Sequence, residues 1–408
     1  MSTLNLSTTD PTVHNLLRFG IFSTGAIAYT FTESLLKNNY GFPKHQIQVV
    51  AVVSRELEKA QQFANHFSTI GNTTSKEKNG NSEMDSSSIL HQIKAYDDYE
   101  QFFNDDSIDI VYIASPHYLH YEHCKMALEH GKNVLCEKAF TINAKEASEL
   151  IELAKQKNLF LMEGMWTRFF PANQEMMKLI KNGEIGQITH INVSLGFVGA
   201  KRQPSKDHRL YKLESGGGSL LDCGVYCISS IIQIVNGIGC GKVSKIQSFM
   251  NIDSQTGTDT QCSALIEFER FDSSGYNNSQ PIYATFHCSF VNEFSRILEI
   301  CGSDGIIQVH NSFHRPTSFS VIKQGSTRTY EFPKENDYQE GSGFFYEIKH
   351  VLELWREQKI ESPIMPHHET LSVMQIMDTI RQAHQFYYPK EKEEPSSSYV
   401  NPLKPTIQ

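Results

Sequence analysis

In the stretch KNVLCEKAF, residues 132–140, an apolar run, Val134-Leu135-Cys136, stops at Glu137-Lys138. A solvated surface gives no reason for a lysine directly after a buried strand. Further along, Asp222 and Tyr226 stand four apart behind Gly216-Gly217-Gly218. On a helix that spacing puts both on one face, and the glycines let the backbone come close to a ligand before the helix begins. A tyrosine near an ammonium suits the oxidation of an alcohol or hemiacetal. A proton must leave oxygen while hydride leaves carbon, and tyrosine, with an ordinary pKa of about 10, accepts that proton only when a nearby positive charge lowers the value. Read singly, Lys138 is a snorkelling surface lysine and Tyr226 a core aromatic.

A second constellation sits near the start. In GIFSTGAIA, residues 20–28, an apolar run enters Ser23-Thr24-Gly25-Ala26-Ile27-Ala28. This reads as G-x-G-x-x-A with Ser23 in the first glycine position. Gly25 lets the backbone approach a pyrophosphate, and Ala28 is small enough for close helix packing; a tight turn without a ligand is the plainer reading. An NAD-specific fold usually carries Asp or Glu after the second strand, whereas this chain has Ser54-Arg55, which suits the 2'-phosphate of NADP. Arg55 alone is also a solvated cation at a helix start. Ser115-Pro116, with His117 and His120, follow a later buried run; His120 reads equally as a helix-start or core residue. Arg168 and Arg209 either contact substrate oxygens or make structural ion pairs. Trp166 and Phe197 either wall a pocket or pack.

The elements that must position these residues alternate for about the first 150 residues. LRFGIF (17–22), IQVVAVVS (47–54), IDIVYIASP (108–116), NVLCE and LFLME are short apolar runs, with helical stretches such as RELEKAQQFANHF and NAKEASELIELAKQKN between them. Near-continuous apolar strands alternating with helices predict a doubly wound parallel sheet, the α/β class, over residues 17–165. From about residue 187 the segments alternate apolar and polar, as in QITHINVSLGFV and SALIEFERF. These predict an α+β second domain, 166–388, built on a large, mostly antiparallel open sheet with one wetter face. Two late amphipathic stretches, FFYEIKHVLELWREQ and HETLSVMQIMDTIRQAHQF, predict closing helices. Residues 71–88 offer nothing to bury and read as a mobile insertion; 1–16 and 389–408 read as a disordered leader and tail.

Composition bounds the function. At 408 residues the chain exceeds the roughly 250 to 300 at which a single core stops growing, so two domains are expected. The net charge of -9, from 46 acidic against 37 basic residues without a long basic run, argues against nucleic acid and anionic membrane as partners. No apolar stretch approaches a spanning length and the N-terminus lacks a signal core, so a cytoplasmic protein is expected. The eight cysteines lie in apolar or alternating segments without zinc spacing, which predicts reduced core thiols and no metal.

IASPHYLHYEHCKMALEHGKNVLCEKAF, LFLMEGMWTRFFPA and GGGSLLDCGVY, in that order, together resemble the glucose-fructose oxidoreductase and inositol dehydrogenase family, over about residues 17–386. Trp166-Thr167-Arg168-Phe169-Phe170-Pro171 resembles its dihydrodiol and NADP-dependent D-xylose dehydrogenase branch. The family's E-K-P motif matches Glu137-Lys138-Ala139, with alanine in place of the proline that would fix the backbone. Its D-x-G-x-Y/H motif matches Asp222-Cys223-Gly224-Val225-Tyr226. The resemblance implies Tyr226 as acid/base, supported by Asp222 and Lys138. It implies that the Ser115–His120 loop lines the cofactor, with His117 where many relatives carry asparagine, and that Glu137, Trp166 and Arg168 adjoin it. It further implies NADP as cofactor, a cyclic sugar or trans-dihydrodiol as substrate, contacted by Trp166, Phe197 and Arg209, and a homodimer formed through the open sheet. The rival expectation is a non-catalytic NADP-sensing regulator of the same fold.

Overall fold

The computed structural model describes residues 16–36, 46–73, 92–199, 205, 207–270, 280–310, 312–332, 343–393 and 403. Six short strands form one parallel sheet: β1 (Leu17–Phe22), β2 (Ile47–Val53), β3 (Lys94–Tyr96), β4 (Ile110–Ile113), β5 (Asn133–Glu137) and β6 (Leu161–Gly164), in the order β3-β2-β1-β4-β5-β6. The chain leaves β1 toward β2 and then crosses to β4 on the other side. That reversal opens a crevice at the carboxyl ends of β1 and β4. The helices between strands are α1 (Ala26–Leu36), α2 (Leu57–Thr73), α3 (Tyr99–Phe103), α4 (His120–Glu129) and α5 (Ala144–Lys157). β4 is buried at every position and β5 at all but its first, as strands covered on both faces must be. α5 has the ends its sequence calls for: Asn143 accepts from the Glu146 backbone N–H at the start, and Asn158 closes it in the left-handed region.

The second sheet has eight strands: β7 (Ile188–Gly196), β8 (Val243–Ile252), β9 (Asp259–Phe268), β10 (Ile282–Ser289), β11 (Leu298–Gly302), β12 (Ile306–Val309), β13 (Ser318–Lys323) and β14 (Ser326–Glu331). Their order is β14-β13-β12-β11-β7-β10-β9-β8, antiparallel at every pair except β10–β7. Period-two burial decides its faces. In β10, Ile282, Ala284, Phe286 and Cys288 are buried while Tyr283, Thr285 and His287 point the other way. One face packs beneath α7 (Val225–Gly237); the other is open and carries Phe249, 81% exposed. Helices α6 (Pro171–Lys181), α8 (Phe344–Arg356) and α9 (His367–Ala383) complete the second half, with α9 packed against both α7 and α5.

Three expectations need correction. α2 runs through Thr73, so residues 71–73 belong to a helix rather than to the expected insertion, whose remainder lies outside the described residues, as does 1–15 of the expected leader. Residues 389–393 are not a disordered tail: Pro389–Glu393 forms a further helix, α10, docked against the nucleotide half through Lys390, while most of 394–408 lies outside the described residues. The stretch Leu213–Gly237 is long and apolar enough to cross a membrane, contrary to the expectation that none is. Its most apolar window is 89% buried, the placement of a core helix rather than of one facing lipid. Seven of the eight cysteines are buried and Cys301 is half-buried.

Candidate active site

β5 ends at Glu137, which delivers Lys138 to the carboxyl edge of the parallel sheet. The Lys138–Ala139 peptide is cis, with alanine in the proline position of the motif. The Lys138 ammonium donates to the Asp222 carbonyl at 3.2 Å and to Asp222 Oδ1 at 3.4 Å, and it sits 4.8 Å from the centre of the Tyr226 ring. Arg209 Nη1 donates to the same Oδ1 at 3.3 Å. One carboxylate therefore holds two cations, and the lysine lies over the tyrosine's ring face.

The segment bearing Asp222 starts from a strained-looking turn made possible by glycine. Gly216 has φ +70° and Gly218 φ +134°, values that side chains with a Cβ rarely adopt. A Cβ on Gly218 would fall 2.0 Å from Asp259 Oδ1. Asp259, at the start of β9, accepts from Ser219 Oγ and from the Leu220 backbone N–H, each at 2.7 Å, which satisfies donors at the helix start. Leu220–Gly224 then winds as a π-helical turn before α7 begins. The expectation of one regular helical face through Asp222 and Tyr226 is thus modified: the wider turn shifts their angular offset, and Lys138 reaches the first through its carboxylate and the second through its ring.

Electrostatics follow from this crowding. Burial works against the Asp222 carboxylate, but Lys138 and then Arg209 outweigh it and hold the group well below the usual carboxylate range. Burial also opposes the Lys138 charge, yet Asp222 and then Tyr226 leave its pKa raised. For Tyr226 burial wins: the phenol's pKa is pushed above its ordinary value, with Lys138 opposing. This corrects the expectation that the neighbouring ammonium would leave the tyrosine easier to ionise than a free one; removing the hydroxyl from water costs the phenolate more than one lysine returns.

His117 lies 3.3 Å through Nδ1 from the Gly216 carbonyl, and burial followed by Arg209 lowers its pKa to about 3. A carbonyl only accepts, so Nδ1 carries the hydrogen and Nε2 is left as an acceptor. His314, from the β12–β13 connection, places its ring 5.5 Å from that of Tyr226, and its carbonyl accepts from Thr167. Nothing in the sequence signalled His314, because only the tertiary fold brings that loop to α7.

At the other end of the crevice, Ser23, Thr24 and Gly25 link β1 to α1, which starts with Ala26 and Ile27. Gly25, Ala26 and Ile27 are exposed, which leaves this helix start accessible to a phosphate. Ser23 holds φ +117° and accepts from the Gly25 N–H at 3.2 Å. Thr24 Oγ1 donates to Ser54 Oγ at 3.4 Å, joining this turn to the end of β2, where Arg55 is exposed. Ser115 and the exposed Pro116 follow β4 on the same edge. An open helix start, with an exposed arginine at the end of the neighbouring strand β2, fits a phosphorylated dinucleotide.

Several expected contacts lie elsewhere. Arg168 is 1% exposed and is spent on Glu369, Ser229 and the Ile364 carbonyl, so it is a structural ion pair rather than a cofactor contact. His120 is fully buried, its ring between the carbonyls of Ser115 at 2.7 Å and Ala139 at 2.9 Å. It braces two strand-end loops instead of lining the crevice. Both carbonyls would be satisfied only by the imidazolium, while burial lowers the pKa to about 4; the neutral ring donates to one of them. Glu137 turns inward and accepts from Tyr112 at 2.5 Å. Trp166 packs against Phe344 and Phe170, and Phe197 against Phe290, placements in which packing governs both.

Residues 17–165 match the oxidoreductase family with an NAD-binding Rossmann fold, and residues 173–308 match the GFO/IDH/MocA C-terminal domain. The chain is 32% identical to the trans-1,2-dihydrobenzene-1,2-diol dehydrogenase of Xenopus tropicalis, over 91% of this chain and 99% of that one. It is 32% identical to the D-xylose 1-dehydrogenase (NADP(+)) of Hypocrea jecorina, over 89% and 90%. Among solved structures it resembles the aldose-aldose oxidoreductase of Caulobacter crescentus complexed with glycerol, with a TM-score of 0.69 at 19% identity over 91% and 98% of the two chains. It also resembles a 3-ketoreductase of Actinomadura kijaniata in complex with NADP and TDP-benzene, with a TM-score of 0.69 at 21% identity over 90% and 98%.

Proposed function

Because the chain belongs to the GFO/IDH/MocA oxidoreductase family, we propose that it transfers a hydride between NADP and a ring-shaped alcohol, either a D-xylose-like aldopyranose or a trans-dihydrodiol. The observation that carries this reading is the cluster at the carboxyl edge: Lys138 bonded to Asp222 and over the Tyr226 ring, with Arg209 on the same carboxylate. The relatives named for dihydrodiols and for D-xylose support the substrate class. Bound NADP supplies a hydride acceptor or donor at C4 of its nicotinamide. Gly25, Ala26 and Ile27 would hold its pyrophosphate and Arg55 its 2'-phosphate.

The protein's own part is proton handling. With its pKa raised by burial, Tyr226 is a neutral phenol in the ligand-free protein, ready to donate a proton to an oxygen that gains negative charge as its carbon receives hydride. In the oxidising direction the same oxygen atom takes the substrate's hydroxyl proton, and Lys138 stabilises the ionised form it must start from. Asp222 keeps Lys138 charged and in place. Arg209, half exposed while bonded to Asp222, is placed to hold a second ring oxygen.

Purified protein assayed on a panel of aldopyranoses, dihydrodiols, linear alcohols and 2-hydroxy acids, followed by NADPH absorbance, tests the reading. Turnover is expected on the ring substrates first. Activity confined to linear alcohols or 2-hydroxy acids would sink the substrate class, and NADP binding without turnover on any substrate would favour a regulator. We also propose a homodimer through the open sheet face, supported by exposed Phe249 and Leu265. Light scattering on the parent and Phe249→Lys should show a dimer lost in the variant.

A further inference from the structure

We infer that Tyr388 is a positioning residue for this site, and that the segment ending in α10 is a clasp tying the turn before Asp222 to the nucleotide half. The inference rests on Lys138, Asp222 and Tyr226 being the working groups. Tyr388 is 2% exposed and donates its hydroxyl to the Gly217 carbonyl at 3.1 Å. Gly217 is the middle of the turn that feeds the site from both ends. On one side the Gly216 carbonyl meets His117; on the other the Gly218 carbonyl accepts from the Asp222 N–H at 3.3 Å. The turn has little room: a Cβ on Gly217 would fall 2.6 Å from the Arg209 carbonyl and 2.8 Å from that of Leu210. A shift of Gly217 therefore moves the backbone of Arg209 as well as the start of the Asp222 segment.

Tyr388 is itself held from behind. Its backbone N–H donates to Glu391 at 2.8 Å, and the Arg381 guanidinium lies 5.0 Å from its ring centre. Arg381, 2% exposed, bonds Glu391, Asp378 and the Ile142 carbonyl. Asp378 in turn accepts from the Ala144 N–H at the start of α5. Lys390 reaches Glu122 on α4 at 3.0 Å and Glu146 on α5 at 3.4 Å. The chain of contacts runs from α4 and α5, which follow the strand-end segments bearing His117 and Lys138, through α10 and Tyr388 to Gly217. Arg381 meets its partners through Nη1 and Nη2, while its Nε has no partner among the described residues.

The full-length Tyr388→Phe variant tests this beside Tyr226→Phe, on the best substrate of the panel. Removing one hydroxyl keeps the ring and leaves the Gly217 carbonyl without its donor. Turnover is expected to fall three- to tenfold with the KM for NADP within twofold, because the Gly25–Ile27 end is untouched. The alkaline limb of the kcat profile should move as Lys138 and Asp222 shift. Lys390→Met, a part-exposed position, releases the clasp from α4 and α5 and should give a smaller change of the same kind; it decides the matter if Tyr388→Phe does not fold. Unchanged kcat and pH profile in the folded variants, even with a lower Tm, would make Tyr388 merely structural. If Tyr226→Phe is inactive while Tyr388→Phe equals the parent, only the clasp inference fails. If Tyr226→Phe is fully active, the underlying site reading fails and takes the inference with it.

Discussion

Asp222→Asn keeps the shape of the side chain and deletes the charge that faces two cations. In the parent, Lys138 Nζ lies 3.4 Å from Asp222 Oδ1 and both side chains are largely buried, at 15% and 12% exposure. Opposite charges about 4 Å apart interact by about 4 kcal/mol at an effective dielectric of about 20. At about 1.36 kcal/mol per pKa unit, that is up to about three units of Lys138 pKa. Burial already works to lower the lysine's pKa and Arg209 works in the same direction; Asp222 is the largest influence raising it. The sign is therefore fixed. Without Asp222 the ammonium is lost at a lower pH, so an alkaline limb of kcat that lies above the assayed range in the parent should move down by roughly one to three units, toward and into that range. Asp222 also anchors the lysine, and kcat at pH 7 should fall about ten- to a hundredfold. The assay is the kcat profile from pH 6 to 10.5 for parent and variant, with circular dichroism confirming fold at each end. A folded variant whose kcat shows no alkaline fall up to pH 10.5 beyond that of the parent refutes the argument that Asp222 maintains the Lys138 charge.

Tyr226→Phe should lower turnover by about a hundredfold or more while NADPH binding, followed by fluorescence, stays within a factor of a few. Arg55→Ala should weaken NADP by about ten- to a hundredfold relative to NAD, the loss of one charge-assisted phosphate contact; equal weakening of both, by titration calorimetry, counts against the 2'-phosphate reading. Ser23→Gly places the residue best suited to φ +117° at that position and should raise stability by about 1 kcal/mol with NADP affinity unchanged or tighter, read by urea unfolding and calorimetry. Glu347 is fully buried and neither carboxylate oxygen has a partner among the described residues, so burial raises its pKa well above the ordinary value. A raised folded pKa means stability that is complete below the unfolded pKa and lost as pH climbs toward the folded one. Glu347→Met should therefore gain on the parent by about 1.4 kcal/mol per pH unit between pH 5 and 7, and a difference that does not change with pH would show the carboxyl to be satisfied.

The sequence by itself determined what depends on local pattern. Apolar runs with helices between them, then period-two segments, were enough for a parallel sheet followed by a mostly antiparallel one, because burial on two faces or on one leaves a direct mark on residue order. Lys138 at the end of β5 and Ser54-Arg55 at the end of β2 were legible for the same reason: a strand's carboxyl end is readable wherever its apolar run stops. Only the tertiary structure decided where long side chains spend their charges. Arg168 and Arg209 look alike in sequence, yet Arg168 is consumed by Glu369, some 200 positions away, and Arg209 by the carboxylate at the site. His120 and His117, three residues apart, divide between a brace on the Ser115 and Ala139 carbonyls and a contact with the Gly216 carbonyl of the glycine turn. The direction of the Tyr226 shift, the presence of His314 beside it and the closure of the clasp on Gly217 likewise depend on contacts between segments far apart in the chain. Desolvation and pairing belong to the packed surroundings of a group, and no local spacing records them.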